Sequence, residues 1–282
     1  MDVVFDNVCF TYNRNIPIAN EVLKEVSLKM AKNKINAIVG PTGSGKTTLV
    51  ELINGLSLPT NGRVMVGDFI VDHNIDKHKI NLLRYKVGLV FQFPEEQFFQ
   101  TTVKQELAFG MQYFHHKIKI NERISEVLKM VGLNDSFLDR NPFKLSGGEK
   151  RRIAIAAILM FDPEIIILDE PTVGLDNGGR KSLINLIRRL KYFYRKTVIV
   201  ISHDVDMLYQ IADFVHILNK GELIASGSKY EVFNDIELLL ENNISIPKVA
   251  AFTRKVYDKK GLNLGKYYEI NDLIKMVYKH VQ

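Results

Sequence analysis

The amino-acid sequence predicts an α/β protein: a mixed sheet core, an antiparallel β subdomain at its start, a helical subdomain inserted in the sheet order and a small helical extension at the end. Three observations predict it. Short apolar runs with the length of buried strands alternate with stretches of helical period, the pattern of a largely parallel sheet covered on both faces. One of those runs ends in a glycine-rich loop that opens a helix. Two earlier segments mix apolar and β-branched residues in near alternation, as paired antiparallel strands do.

Bulk properties narrow the function classes. The chain has 282 residues, 46% of them hydrophobic and 25% charged, enough for one large domain and an appendage. No apolar run approaches the roughly 20 residues needed to cross a bilayer. Asp2 and Asp6 interrupt the first apolar positions, and no basic start leads into an apolar segment, so a secretory signal is not expected. The single cysteine, Cys9, cannot form an internal disulfide and reads as a small strand residue of a cytosolic chain. A net charge of +6 suits anionic headgroups, nucleic acid or nucleotide phosphates, but the basic residues sit in short patches such as Lys150-Arg151-Arg152 and Arg188-Arg189, as on solvated faces.

Taken in order, Val3–Tyr12 and residues 22–30 read as two antiparallel strands, and Ile35–Val39 as a buried strand followed by a helix over residues 46–54. Further buried strands are predicted at residues 87–91, 165–168, 198–201 and 214–218. From about residue 101 to 160 the apolar positions Leu107, Met111 and Phe114, then Ile124, Leu128 and Val131, follow a helical period and mark the inserted subdomain. Residues 1–226 are read as the main domain and 227–282 as the helical extension. There Val249, Phe252 and Val256, and then Ile270, Leu273, Ile274, Val277 and Tyr278, form apolar stripes. Such stripes must dock, either on the main domain or on the same tail of a second subunit.

Gly40-Pro41-Thr42-Gly43-Ser44-Gly45-Lys46-Thr47 satisfies G-x-x-x-x-G-K-[ST] between a strand and a helix, the context the motif requires. Its glycines let backbone N–H groups converge on a β-phosphate, and the following helix adds its positive end. Lys46 supplies charge toward the β and γ phosphates, Thr47 a hydroxyl for Mg²⁺, and Thr48 is placed for the α-phosphate. Asp169 and Glu170 close an apolar strand: Asp169 can hold the hydration shell of the metal, and Glu170 can orient and deprotonate an attacking water. His203 ends the next strand and is expected at the γ-phosphate. Leu145-Ser146-Gly147-Gly148-Glu149 opens a helix rich in Ile and Ala, a second anion site in a chain that already has one. A second site makes sense if it serves the nucleotide of a partner.

With these parts in this order, and with Val173-Gly174-Leu175-Asp176 after the acid strand, the sequence resembles the ABC ATPase family, the P-loop NTPases of ABC transporters. The resemblance implies a dimer holding two ATP molecules, each between the phosphate loop of one subunit and the signature, Ser146 to Glu149 with Asp176, of the other. It also implies that Tyr12 stacks on adenine and that Gln92 touches Mg²⁺ and relays the state of the site to a membrane partner. Phe91-Gln92-Phe93-Pro94-Glu95-Glu96-Gln97-Phe98-Phe99, Thr102-Val103, Ala108-Phe109-Gly110 and the tail further resemble the ATPases of energy-coupling factor transporters, closest to the second of their two paralogues. Those systems import vitamins or metal ions with two ATPases, a transmembrane coupling protein and a substrate-binding membrane protein. The expectation is therefore a peripheral ATPase at the cytoplasmic face, with ATP and Mg²⁺ as ligands, a paralogous ATPase as partner (a homodimer being the alternative) and no nucleic acid. Arg84, Lys86, Phe91, Phe93, Phe98 and Phe99 are expected near the groove for the coupling protein.

Two departures stand out. Glu149 replaces the usual glutamine of the signature and brings a carboxylate toward a partner's triphosphate; Val173 replaces a small residue. The rival readings are a DNA-acting ABC ATPase, which lacks its usual coiled coil or cysteine set here, and a weakly hydrolysing structural subunit, against which Asp169, Glu170 and His203 argue.

Overall fold

The computed structural model describes residues 1–13, 19–113, 119–262, 264 and 270–281. Phe114 lies outside the described residues, and of Ile270 only the backbone is described.

The chain opens with β1 (Val3–Tyr12) and β2 (Asn20–Met30), then β3 (Ile35–Val39) and α1 (Lys46–Ile53). A short pair, β4 (Asn61–Val66) and β5 (Phe69–Val71), joins the first two strands in an antiparallel sheet of order β2-β1-β4-β5. This sheet has four strands where the sequence pattern predicts two. Along β1 the buried residues are Val3, Phe5, Val8 and Phe10, a step of three between the second and third. Asn7, in the left-handed region at φ 45°, lies at that register shift, and the irregularity returns the strand to its inward face.

After α2 (Lys77–Lys86) and β6 (Val87–Val90), the inserted helices α3 (Val103–Phe109), α4 (Ile120–Met130) and α5 (Gly147–Leu159) precede β7 (Ile165–Asp169). Then follow α6 (Asn177–Tyr192), β8 (Thr197–Ile201), α7 (Val205–Ile211), β9 (Phe214–Asn219) and β10 (Glu222–Ser228). The second sheet has the order β10-β9-β3-β8-β7-β6, parallel except for β10 at its edge. Every residue of β3, β7 and β8 is buried, which is why these strands read as largely apolar runs, Asn36 in β3 being satisfied by hydrogen bonds with Ala31.

The two faces of that sheet carry separate cores. Ala37, Val39, Ile166, Leu168, Val198 and Val200 pack under the helices, whereas Ile38, Ile165, Ile167, Ile199 and Ile201 face α1 and the antiparallel sheet. The carboxyl ends of β3, β7 and β8 lie side by side, where open α/β sheets hold their ligands.

The chain ends in α8 (Lys229–Asn234), α9 (Ile236–Glu241), α10 (Lys248–Lys260) and α11 (Ile270–Val281). Ala250 is buried and Val249 packs on the main core, so one edge of the α10 stripe docks on the body of the chain. The other edge does not: Phe252, Leu273, Ile274, Val277 and Tyr278 line an apolar groove of about 580 Å³ between α10 and α11.

Candidate functional site

The glycine loop joins β3 to α1. Gly45 stands at the helix start with φ 99°, and a Cβ there would come within 2.9 Å of Leu23 Cδ2 and 3.0 Å of the Val22 carbonyl. Only glycine turns the chain this close to β2. With no side-chain cap on α1 and no acid in its first turn, the first N–H groups are left for an anion. Lys46 is 7% exposed, and its ammonium donates to the carbonyls of Gly40 (2.9 Å) and Pro41 (2.8 Å). Burial lowers its pKa, and the nearby charges of Glu170 and Asp169 oppose that shift.

Across the loop, Thr47 Oγ1 donates to Asp169 Oδ2 at 3.1 Å, which sets the hydroxyl and the carboxylate expected around a metal side by side. Glu170 leaves the strand direction altogether: its φ of 45° is rare for a residue with a side chain, and its N–H bonds the carbonyl of Ile201 on β8. The carboxylate is held at Oε2 by Ser202 Oγ and by the His203 N–H, both at 3.3 Å. Its Oε1 faces His203 Nε2 at 3.2 Å without the alignment of a hydrogen bond, an oxygen able to take a proton. Burial raises the pKa of both acids; Thr47 and Lys46 oppose the shift at Asp169, and His203 opposes it at Glu170. His203 itself is 56% exposed at the side chain, as a group facing a ligand would be.

One cavity of about 390 Å³ collects Tyr12, Thr42, Gly43, Gly45, Lys46, Thr47, Thr48, Gln92, Asp169, Glu170 and His203. Gly40, Pro41 and Thr42 line a neighbouring cavity with His203, and Ser44 is buried beneath the loop. The Tyr12 hydroxyl lies 3.2 Å from Thr48 Oγ1, with the ring edge-on to Phe10. Asn20 and Val22 of β2 join the first cavity and were not foreseen; nothing local in their sequence marks them.

Ser146, Gly147, Gly148, Glu149 and Asp176 line a different cavity, also about 390 Å³, which shares no residue with the phosphate-loop cavity. Here the helix end is closed on itself. Glu149 Oε2 accepts from the Ser146 N–H (2.9 Å) and from the Ser146 hydroxyl (2.8 Å), a capping box that holds the carboxyl below its usual pKa. Asp176 caps α6 through the Gly179 N–H at 2.7 Å. Sequence reading missed what fixes α5: Arg151, 1% exposed, donates to Glu95 at 2.8 and 3.0 Å and to the carbonyls of Pro171 and Val173. One buried guanidinium thus ties the signature helix to the segments carrying Gln92 and Asp176.

Of the residues expected along a coupling groove, Arg84 and Phe91 line a cavity of about 340 Å³ with Leu56, Tyr85 and Phe161. The others do not line that cavity: Phe98 is buried, Lys86 pairs with Glu164 at 3.0 Å, Phe93 lies under Arg151, and Phe99 is exposed with its ring edge-on to Phe109.

A family model described as ABC transporter matches residues 23–173, from β2 through the acid strand to the start of the loop before α6. The chain belongs to the ABC transporter family. Among curated relatives of this ABC protein, the energy-coupling factor transporter ATP-binding protein EcfA2 of Mycoplasma capricolum is 42% identical over 93% of this chain and 91% of its own. The protein of the same name from Streptococcus agalactiae is 40% identical over 99% of this chain and the whole of its own. Among solved structures, cbiO1 of Clostridium perfringens, part of the ABC transporter complex cbiONQ, superposes with a TM-score of 0.76 at 29% identity, covering 89% of this chain and 98% of that one. The ATP-binding cassette MJ0796, a dimer in a post-hydrolysis state with ADP and Pi, gives 0.70 at 30% identity over 80% of this chain and 98% of that one.

Proposed function

We propose that this ABC ATPase is the ATP-binding and ATP-hydrolysing subunit of an energy-coupling factor importer of vitamins or metal ions, working at the cytoplasmic face of the membrane through a transmembrane coupling protein. One observation carries the mechanism: phosphate loop, acid pair and switch histidine share a cavity, while the signature lines another that shares none of their residues. A signature lining a cavity apart from its own loop suits the nucleotide of a second subunit, here a paralogous ATPase with a substrate-binding membrane protein completing the complex.

In the closed pair, Lys46 and the α1 N–H groups bind the triphosphate, and Tyr12 stacks on the base. Glu170, held by Ser202 and His203, takes the proton of the water that attacks the γ-phosphate, and His203 orients both. Thr47, Gln92 and Asp169, oxygen-bearing side chains on one cavity, would hold a Mg²⁺ that arrives with the nucleotide and would offset phosphate charge. Ser146, Gly147 and Gly148 complete the partner's site. Movement of the Gln92 segment reaches the cavity at Arg84 and Phe91, a seat for a helix of the coupling protein. The α10–α11 groove is a contact for the other ATPase, so that residues 227–282 act as a dimerising extension.

The test is purification of the complex from its native membrane. A second ATPase and a transmembrane protein are expected to accompany this chain, and Glu170→Gln should stop phosphate release while trapping an ATP-bound dimer. A chain that stays monomeric with ATP, Glu170→Gln and its companion present would overturn the reading.

A further inference from the structure

Most helices near the site cap themselves. Thr102, Ser146, Asp176, Asp204, Ser228 and Asp235 each cap the helix that follows them. α10 does not: its N-cap is Pro247, which has no side-chain acceptor. Its cap comes from another element. Asp206, in the first turn of α7, accepts from the Lys248 N–H at 2.8 Å through Oδ1, and its Oδ2 lies 3.4 Å from Lys248 Nζ. Asp206 is half-buried, with 28% of its side chain exposed.

The same turn of α7 is the anchor of the switch. The Val205 N–H bonds the His203 carbonyl, Asp204 caps α7 through the Met207 N–H, and Asp204 also pairs with Arg180 of α6. On the other side, Asn243, Ile244 and Ser245, just before α10, line a cavity of about 280 Å³ with Ser202, His203 and Gly40 to Thr42. The approach to the C-terminal helices therefore forms a wall beside the phosphate loop and the switch.

We propose that Asp206 is a positioning residue for the switch histidine: by joining the first turn of α7 to that of α10, it makes the placement of His203 depend on where the C-terminal helices sit. The inference rests on the reading of His203 as the residue at the γ-phosphate, and adds that a partner gripping α10 and α11 acts on hydrolysis through this one carboxylate.

Lys248→Pro isolates the bond. Proline suits the first position of a helix, and Pro247, at φ −55° and ψ 138°, already has the backbone that a following proline requires. The N–H is lost, and the lysine ammonium at 3.4 Å from Asp206 Oδ2 is lost as well, so Lys248→Ala, which loses that side chain and keeps the N–H, is the matched control. In the purified complex, Asp206→Ala and Lys248→Pro should each lower kcat for phosphate release on the order of tenfold, with KM for ATP and calorimetric affinity unchanged and with faster hydrogen exchange at residues 203–206. Lys248→Ala, which keeps the N–H, should behave as the parent. Wild-type turnover in Lys248→Pro overturns the proposal, as does an affinity that falls in step with kcat. His203→Ala separates the two ideas: if it leaves hydrolysis intact, the reading of the switch fails, whereas slow His203→Ala beside normal Lys248→Pro defeats this inference alone.

Discussion

Two helix ends in this chain are proposed to meet phosphate, and they are built in opposite ways. α1 begins at a glycine with no side-chain cap and no acid in its first turn, and a buried lysine adds full charge. α5 begins at Ser146 and is closed by its own capping box, in which Glu149 occupies the serine hydroxyl. The first end is preorganised and sunk in the core; the second is exposed and already bonded to itself. The difference teaches that one physical device, the positive end of a helix, can serve as a standing site or as one that must be opened by an arriving ligand.

The sharpest way to break the comparison is to remove the charge from the standing site. Lys46→Ala should weaken ATP binding about a hundredfold, the value of a charge-assisted contact to phosphate of ~3 kcal/mol, as read by calorimetry. An unchanged affinity would mean that the N–H groups alone hold the nucleotide.

Adding one carbon to the loop that leads into α1 and to the start of α5 should come next in size. A Cβ on Gly40 would meet the Leu218 carbonyl at 1.9 Å, whereas one on Gly147 meets nothing within 4 Å. Gly40→Ala should therefore cost about 3 kcal/mol in folding and lower Tm by roughly 5–10 °C. Gly147→Ala should melt like the parent and lose only hydrolysis that depends on the dimer. Equal melting of the two variants would erase the distinction between a packed end and an open one.

The acid beside the standing site gives a pH test. Burial raises the Glu170 pKa above the ordinary 4.5, and a base works only when ionised. As pH falls, kcat should begin to drop at a pH above the ordinary glutamate value and decline about tenfold per unit below the shifted one. The profile of phosphate release at saturating ATP reads it directly, and a limb at or below 4.5 would show that Glu170 is not the titrating base.

What could be read from the sequence follows the same divide between local and distant causes. The glycine loop and the three buried strands β3, β7 and β8 are legible because their signals lie within a few residues. β4, β5 and β10 are short or half-exposed segments, the last two at sheet edges, whose strand character comes from the neighbours they pair with, Val64 with Phe5 and Leu223 with Leu218. The Arg151–Glu95 tie joins residues far apart in the chain, and the backbone turn at Glu170 leaves no mark on composition. Phe98 was expected at a groove and is buried, because an aromatic in a loop reads alike in both roles.

The smallest effect concerns the end that must open. The Ser146 hydroxyl has one proton, and Glu149 Oε2 takes it at 2.8 Å. On the proposed arrangement, a phosphate oxygen from the partner's nucleotide has to compete for that proton and approach a carboxylate that Ser146 keeps ionised. Glu149→Gln retains an N3 residue suited to the capping box and removes the charge, so folding should change by no more than about 0.5 kcal/mol. Turnover of the complex should rise roughly two- to fivefold, the worth of a partly exposed charge pair of ~0.5–1 kcal/mol. Salt separates charge from geometry: the gain should shrink as ionic strength grows and the Debye length falls below the reach of the carboxylate. A gain that persists at high salt would place the obstacle in the serine's hydrogen bond, and no gain at any salt would show that opening α5 does not limit the cycle.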